Sequence, residues 1–331
     1  MLTLPKKALM ISKKTLLALA AVALAATSTL SVAAEVKSVA ITAIVEHPAL
    51  DAVRDGVLDA LNDAGYEQGK NLKWQYQSAQ GNTATAGQIA RKFIGDNPDV
   101  LVAIATPSAQ SAVAGTKRVP IVFSAVTDPV EAQLVPSWEA SGTNVTGVSD
   151  LLALDKQIEL ILKIVPHAKK IGMVYNPGEA NSVVVVEAFK KILPKYGMQL
   201  VEAAAPRSID VGSAAGSLVG KVDVIYTSTD NNVVSAYEAL VKVGNDRKIP
   251  LVASDTDSVK RGAIAALGVN YRDLGRQTGR IVVRILEGEA AGDIKTQTSS
   301  NLQLFLNEAA AKKQGVILSD ALLKTASEVI R

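Results

Sequence analysis

The sequence predicts an α/β protein of two doubly wound parallel-sheet lobes joined by a hinge. Short apolar runs alternate with amphipathic stretches from position 36 to about 288, the pattern of βαβ units. The same strand-and-tip phrases occur twice, in the same order, which predicts two similar lobes. Each apolar run ends in hydrogen-bonding side chains, at the carboxyl ends where open α/β sheets hold their ligands.

The first 34 residues stand apart from this pattern. Lys6, Lys7, Lys13 and Lys14 make a basic leader, 16–26 is apolar but too short to span a bilayer, and Val32 and Ala34 flank a small-residue cleavage site. A secretory signal peptide over 1–34 is expected, with Met10 as an alternative start. The chain carries 35 Lys and Arg against 32 Asp and Glu, a formal +3, and losing the four leader lysines takes it to −1. The basic balance therefore belongs to the leader and points to neither nucleic acid nor a lipid surface. With no cysteine there is no disulfide, no thiolate nucleophile and no thiol to lipidate. The expected product is a periplasmic monomer, free rather than lipid-anchored. Aromatic residues make up 4% against 48% hydrophobic overall, so the cores are expected to be Val, Ile, Leu and Ala.

Strands are predicted at 39–45, 100–105, 121–123, 171–175, 222–226, 251–253 and 263–267, each a short apolar run bounded by turn residues. Pro250 suits the first position of its strand because it has no N–H to give the ladder. Helical periodicity predicts helices at 49–64, 181–196, 232–247 and 271–287, and the tail adds a strand at 302–306 and a helix.

The repeat organises these elements. RVPIVFSAVTDPV at 118–130 returns as KIPLVASDTDSV at 248–259, 98–110 returns at 222–233, and 37–66 returns at 170–198. Between the copies, 141–149 and 262–270 read as crossovers. Lobe one is then 36–147 plus 269–291 and lobe two 148–268 plus 292–331, with the hinge near Gly147 and Gly268.

The paired tips supply the candidate ligand contacts. They are Glu46 and His47; Thr106, Pro107 and Ser108; Ser124, Ala125, Thr127 and Asp128; Asn176, Asn181 and Ser182; Thr229, Asp230 and Asn231; and Ser254, Asp255 and Thr256. Pro48, Pro107 and Pro129 mark helix starts, whose free N–H groups suit an anion. Glu46, Asp128, Asp230 and Asp255 offer carboxylates to a cation, so one zwitterion would use both. Ser, Thr, Asp and Asn at helix starts are also ordinary caps, which gives each of these positions a purely structural reading as well. His47 reads equally as a contact or a surface residue, and His167 as structural.

Catalytic patterns are missing. Two histidines and no cysteine leave no triad, no G-x-S-x-G elbow and no zinc spacing. No G-x-G-x-x-G follows the first strand, and Asp255 with Asp257 lacks an EF-hand continuation. No enzyme activity, metal or cofactor is expected. A sugar would call for stacked aromatic rings at the tips, where only Phe123 is close.

These phrases resemble the ABC-transporter substrate-binding proteins of the tryptophan/tyrosine type, which have the type I periplasmic binding protein fold. The resemblance rests on EHPALD at 46–51, ATPSAQ at 105–110, PIVFSAVTDPV at 120–130, NVTGVSD at 144–150, TDN at 229–231, LNEAAAKKQG at 306–315 and LLKTASEVI at 322–330. It implies capture of a small solute, foremost an aromatic amino acid, and its delivery to an ABC transporter permease in the inner membrane. A periplasmic sensor for a membrane receptor and a periplasmic enzyme on the same scaffold are the alternatives. An amino acid would set its carboxylate on helix-start N–H groups and its ammonium on an acid, Asp255 first and then Glu46 or Asp128. Burying about 150–250 Å² of aromatic side chain at about 25 cal/mol per Å² contributes roughly 4–6 kcal/mol. Micromolar binding needs about 8 kcal/mol, so the polar ends must add to it.

Overall fold

The computed structural model describes residues 2–3, 36–299 and 301–331, so the expected signal peptide lies outside the described residues but for positions 2 and 3. The chain first lays down β1 (Lys37–Ala43), α1 (Pro48–Asp63), β2 (Leu72–Ser78), α2 (Thr83–Gly95), β3 (Val100–Ile104), α3 (Thr106–Gly115), β4 (Ile121–Val126) and β5 (Val145–Ser149). These five strands pair in parallel in the order β2-β1-β3-β4-β5. There follow α4 (Leu154–Ile164), β6 (Lys170–Tyr175), α5 (Ala180–Ile192), β7 (Gln199–Ala204), α6 (Val211–Ser217) and β8 (Val224–Thr227). Next come α7 (Asn231–Ser235), α8 (Tyr237–Arg247), β9 (Leu251–Ala253), α9 (Thr256–Arg261) and β10 (Ala265–Val269). The second sheet runs β7-β6-β8-β9-β10, again parallel and in the same order as the first. The sequence repeat thus encodes a repeated topology, with a switch point between the first and third strands of each lobe.

The remainder ties the lobes together. α10 (Tyr271–Leu286) returns to the first lobe, and β11 (Gln297–Thr298) pairs with β5. β12 (Leu302–Asn307) then runs antiparallel to β10, and after α11 (Glu308–Lys313) and α12 (Asp320–Leu323), β13 (Glu328–Ile330) pairs with β12. Three crossings therefore join the sheets. The first sheet also reaches further than its sequence boundaries: Val148 and Ser149 are still on β5, and Gln297–Thr298 forms its edge. The tail passes to the second sheet after Thr298, not at 292.

Central strands match the apolar runs because both their faces are covered; β3 (VLVAI) and β4 (IVFSAV) are buried at every residue. The predicted strand at 263–267 lies two residues later, since the Ile264 N–H already bonds the Leu251 carbonyl in the approach to β10. The predicted helix at 232–247 breaks at Ala236 into α7 and α8. The helix expected over 181–196 is α-helical only to Ile192 and ends in a 3-10 turn carrying Pro194.

Glycines set the closest approaches. On α1 and α10, a Cβ at Gly56 would stand 2.1 Å from the Arg272 carbonyl oxygen, and one at Gly275 would stand 2.2 Å from that of Val53. Gly147 and Gly268, expected near the hinge, lie inside β5 and β10, where an added Cβ would meet the carbonyl oxygens of Phe123 at 2.2 Å and Ser254 at 2.3 Å. Both are demanded by strand packing, and the crossings begin just beyond them, at Asp150 and Asn270.

Candidate ligand-binding site

The carboxyl ends of the two sheets face each other, and the Thr127 hydroxyl of the first lobe hydrogen-bonds the Thr229 hydroxyl of the second at 3.1 Å. Two cavities lie in this cleft. One has a polar wall of His47, Asp150, Asn181, Thr229, Asn231, Asp255 and Tyr271, closed by Ala49, Leu50, Ala125 and Val234. The other is largely apolar, walled by Leu151, Leu152, Leu154, Val184, Val185, Ala188 and Tyr226, with Thr127, Ser228 and Ser254. Both are lined by Asp150 and Thr229, so a polar end and an apolar end meet at those two residues.

The backbone is strained where it borders the cleft. Ala105 at the end of β3 has φ +71°, and Ala125 in β4 has φ +54° in a bulge that shifts register against β5. Alanine in such a conformation costs about 1–3 kcal/mol, and strain of this kind gathers at ligand sites. Ala125 faces the polar cavity.

Eight of the sequence-predicted contacts line the cavities: His47, Ala125, Thr127, Asn181, Thr229, Asn231, Ser254 and Asp255. The others do not. Glu46 is exposed and accepts from Gln80. Thr106, Pro107, Ser108 and Thr256 are buried at helix starts and do not line either cavity. Ser124 shares a 2.7 Å hydrogen bond with Thr278 of α10. Asp128 accepts from the N–H groups of Val130 and Glu131, and Asn176 from that of Gly178. Ser182 donates to Asp230, which also accepts from the N–H groups of Asn176 and Val233. Asp128, Asn176 and Asp230 thus serve caps or turns, whereas the buried hydroxyls of Thr106 and Ser108 have no hydrogen-bond partner.

Asp255 does both jobs. It lines the polar cavity, and Oδ1 accepts the Ser258 N–H and Oδ2 the Ser258 hydroxyl at the start of α9. Asp150 and Tyr271 were not among the expected contacts. Asp150 is 4% exposed and its Oδ2 accepts the Tyr271 hydroxyl at 2.8 Å, while Oδ1 has no hydrogen-bond partner. Burial raises the pKa of both Asp150 and Asp255, and their mutual repulsion adds to the rise at Asp150. The Tyr271 and Thr127 hydroxyls oppose the rise at Asp150. His47 is neutral: burial, followed by the charge of Arg261, pushes its imidazole down to about 3, and its Nδ1 caps α1 by accepting from Leu50.

Glu179, also unanticipated, sits behind the polar wall. Its Oε2 accepts from Asn181 Nδ2, Asn231 Nδ2 and the Asn231 N–H, which orients two amides that line the cavity. Burial, then the neighbouring Asp230 charge, pushes its carboxyl up to about 7 from an ordinary 4.5. With the folded value raised, the stability from its proton is fully present below about 4.5 and is lost as the pH rises through 7. Glu179→Gln should therefore raise the melting temperature at pH 8 and shrink the fall between pH 5 and pH 8. Thermal melts at both pH values check this, and an unchanged difference would place the charge elsewhere.

Residues 38–330 match the family described as ABC transporter substrate binding protein. The Tyrosine-binding protein of Clostridioides difficile (strain R20291) is 44% identical over 272 residues, 82% of this chain and 79% of that one. A solved ABC domain in complex with L-Trp, from Streptococcus pneumonia, is 31% identical with TM-score 0.86, covering 89% of this chain and 100% of that one. A ligand-free, open substrate-binding protein with adhesive properties from Clostridium difficile is 42% identical but scores only 0.68, over 89% of this chain and 99% of that one. A conserved domain protein from Vibrio cholerae is 49% identical with TM-score 0.88, over 89% of this chain and 100% of that one. Solute-binding proteins for sugars and polyols, 13–17% identical, share the fold alone. The chain has the type I periplasmic binding protein fold and belongs to the ABC transporter substrate-binding protein family.

Proposed function

We propose that this protein captures an amino acid with an aromatic side chain between its lobes in the periplasm and delivers it to an ABC transporter permease. The observation that carries the reading is the pair of cavities meeting at Asp150 and Thr229, one polar and one apolar. Such a site suits a ligand charged at one end and apolar at the other. The tyrosine and L-Trp in the names of two relatives support the same ligand class. The ligand's carboxylate meets the start of α1, where Ala49 and Leu50 line the wall, together with the amides of Asn181 and Asn231. Its ring fills the apolar end. Closure moves the two sheets about the three crossings, at 150–153, at Asn270 and beyond Thr298, and the lobes of a single chain enclose the ligand.

Calorimetry against the common amino acids tests this, on protein recovered from the periplasm with an intact mass beginning at Glu35. L-Tyrosine or L-tryptophan should bind at about micromolar Kd or tighter, return unaltered, and reduce the radius of gyration in small-angle scattering. Binding of no aromatic amino acid, or turnover of the ligand, would overturn the reading.

A further inference from the structure

Four acidic side chains lie in or behind the polar wall, and their hydrogen bonds separate them. Asp255 has both oxygens on Ser258. Asp230 accepts from Asn176, Ser182 and Val233. Glu179 accepts three bonds on one oxygen from Asn181 and Asn231. Asp150 has a single donor, Tyr271, although a carboxylate has room for about four. Its Oδ1 is buried without a partner, in a residue that borders both cavities. A buried carboxylate oxygen left open costs free energy unless a donor arrives, and the donor that returns most is a cation.

We propose that Asp150 receives the ligand's ammonium on Oδ1, with the Tyr271 hydroxyl holding Oδ2 as a positioning group. The proposal rests on the amino-acid reading above and names the residue that makes a primary amine obligatory. The placement also joins recognition to the hinge. Asp150 is the first residue beyond β5 and Tyr271 the first of α10, so the 2.8 Å bond between them links two of the three crossings. The ammonium is held at the crossings themselves, while the lobe tips on either side handle the carboxylate. Asp255, each of whose oxygens already accepts one bond from Ser258, contributes negative potential to the same wall.

The test compares the full-length mature protein with Asp150→Asn and Tyr271→Phe, by calorimetry with L-tyrosine, L-tryptophan and the deaminated analogue 3-(4-hydroxyphenyl)propionate. The wild type should prefer L-tyrosine to the analogue by about 100-fold or more, the loss expected when a buried charge has no partner. Asp150→Asn should abolish that preference and leave the weak binding of the analogue as it was. Tyr271→Phe should narrow the preference, a change that a merely structural hydroxyl would not make, since lost folding lowers both affinities together. Melting curves of both variants exclude unfolding. Retention of the full preference by Asp150→Asn would overturn the proposal and leave the amino-acid reading intact. Failure of the wild type to bind any aromatic amino acid would overturn both.

Discussion

Gly275→Leu should destabilise the first lobe by about 3 kcal/mol or more, because it forces side-chain volume into a seam that has none to give. Gly275 of α10 lies against α1, where its missing Cβ would be 2.2 Å from the Val53 carbonyl oxygen; Gly279 would meet Ala60 at 2.6 Å, and Gly56 the Arg272 carbonyl at 2.1 Å. The neighbours in two of these contacts are backbone atoms, which cannot rotate away as a side-chain end can. Arg272 and Arg276 lock the same seam at its wet edge, bonding Asp59 at 2.7 and 3.0 Å, so the helices cannot separate without losing those pairs as well. Denaturant unfolding of the variant should show an earlier first transition. Gly216→Leu in α6 is the control: nothing lies within 4 Å of an added Cβ there, so helix propensity makes it neutral or stabilising by up to about 1 kcal/mol. Equal unfolding of Gly275→Leu and wild type would mean the seam can open.

The fold was legible because its central strands announce themselves. β3, β4 and β9 are buried on both faces, so their sequences are apolar runs, broken only by Ser124 in β4. The edge strands β2 (LKWQYQS) and β7 (QLVEAA) are half-buried, carry charges, and escaped a search for apolar runs. The break at Ala236 has no Gly or Pro to mark it. In the cleft, the rule that strand ends bear ligand contacts leads to the cavity-lining His47, Thr127, Thr229 and Asn231, but equally to the caps Asp128 and Asp230, because capping and binding use the same side chains. Asp150 obeys the rule, standing at the end of β5. It was missed because 141–149 read as a connection and not as a strand. The apolar end was invisible for a different reason: Leu151, Val184 and Ala188 look like any core residue until the lobes are brought together.

Ala188→Phe should cost aromatic amino acids about 4 kcal/mol of binding, roughly a thousandfold in Kd, by occupying the apolar end of the cleft. Ala188 lies on α5 and lines the apolar cavity with Val184, Val185 and Leu154. The new ring would take the space proposed for the ligand's own, so most of the roughly 4–6 kcal/mol from aromatic burial would be forfeited. Folding should be spared, since Ala188 is only partly buried and borders the cleft and not a filled core, and the variant should melt near the wild-type temperature. The pattern across ligands makes the test specific. L-Tyrosine and L-tryptophan should lose nearly all affinity, whereas glycine or alanine, whose side chains do not reach that end, should bind as weakly as they do to the wild type. Unchanged affinity for L-tyrosine in a well-folded Ala188→Phe would remove the apolar cavity from the binding site and confine the ligand to the polar end around Asp150.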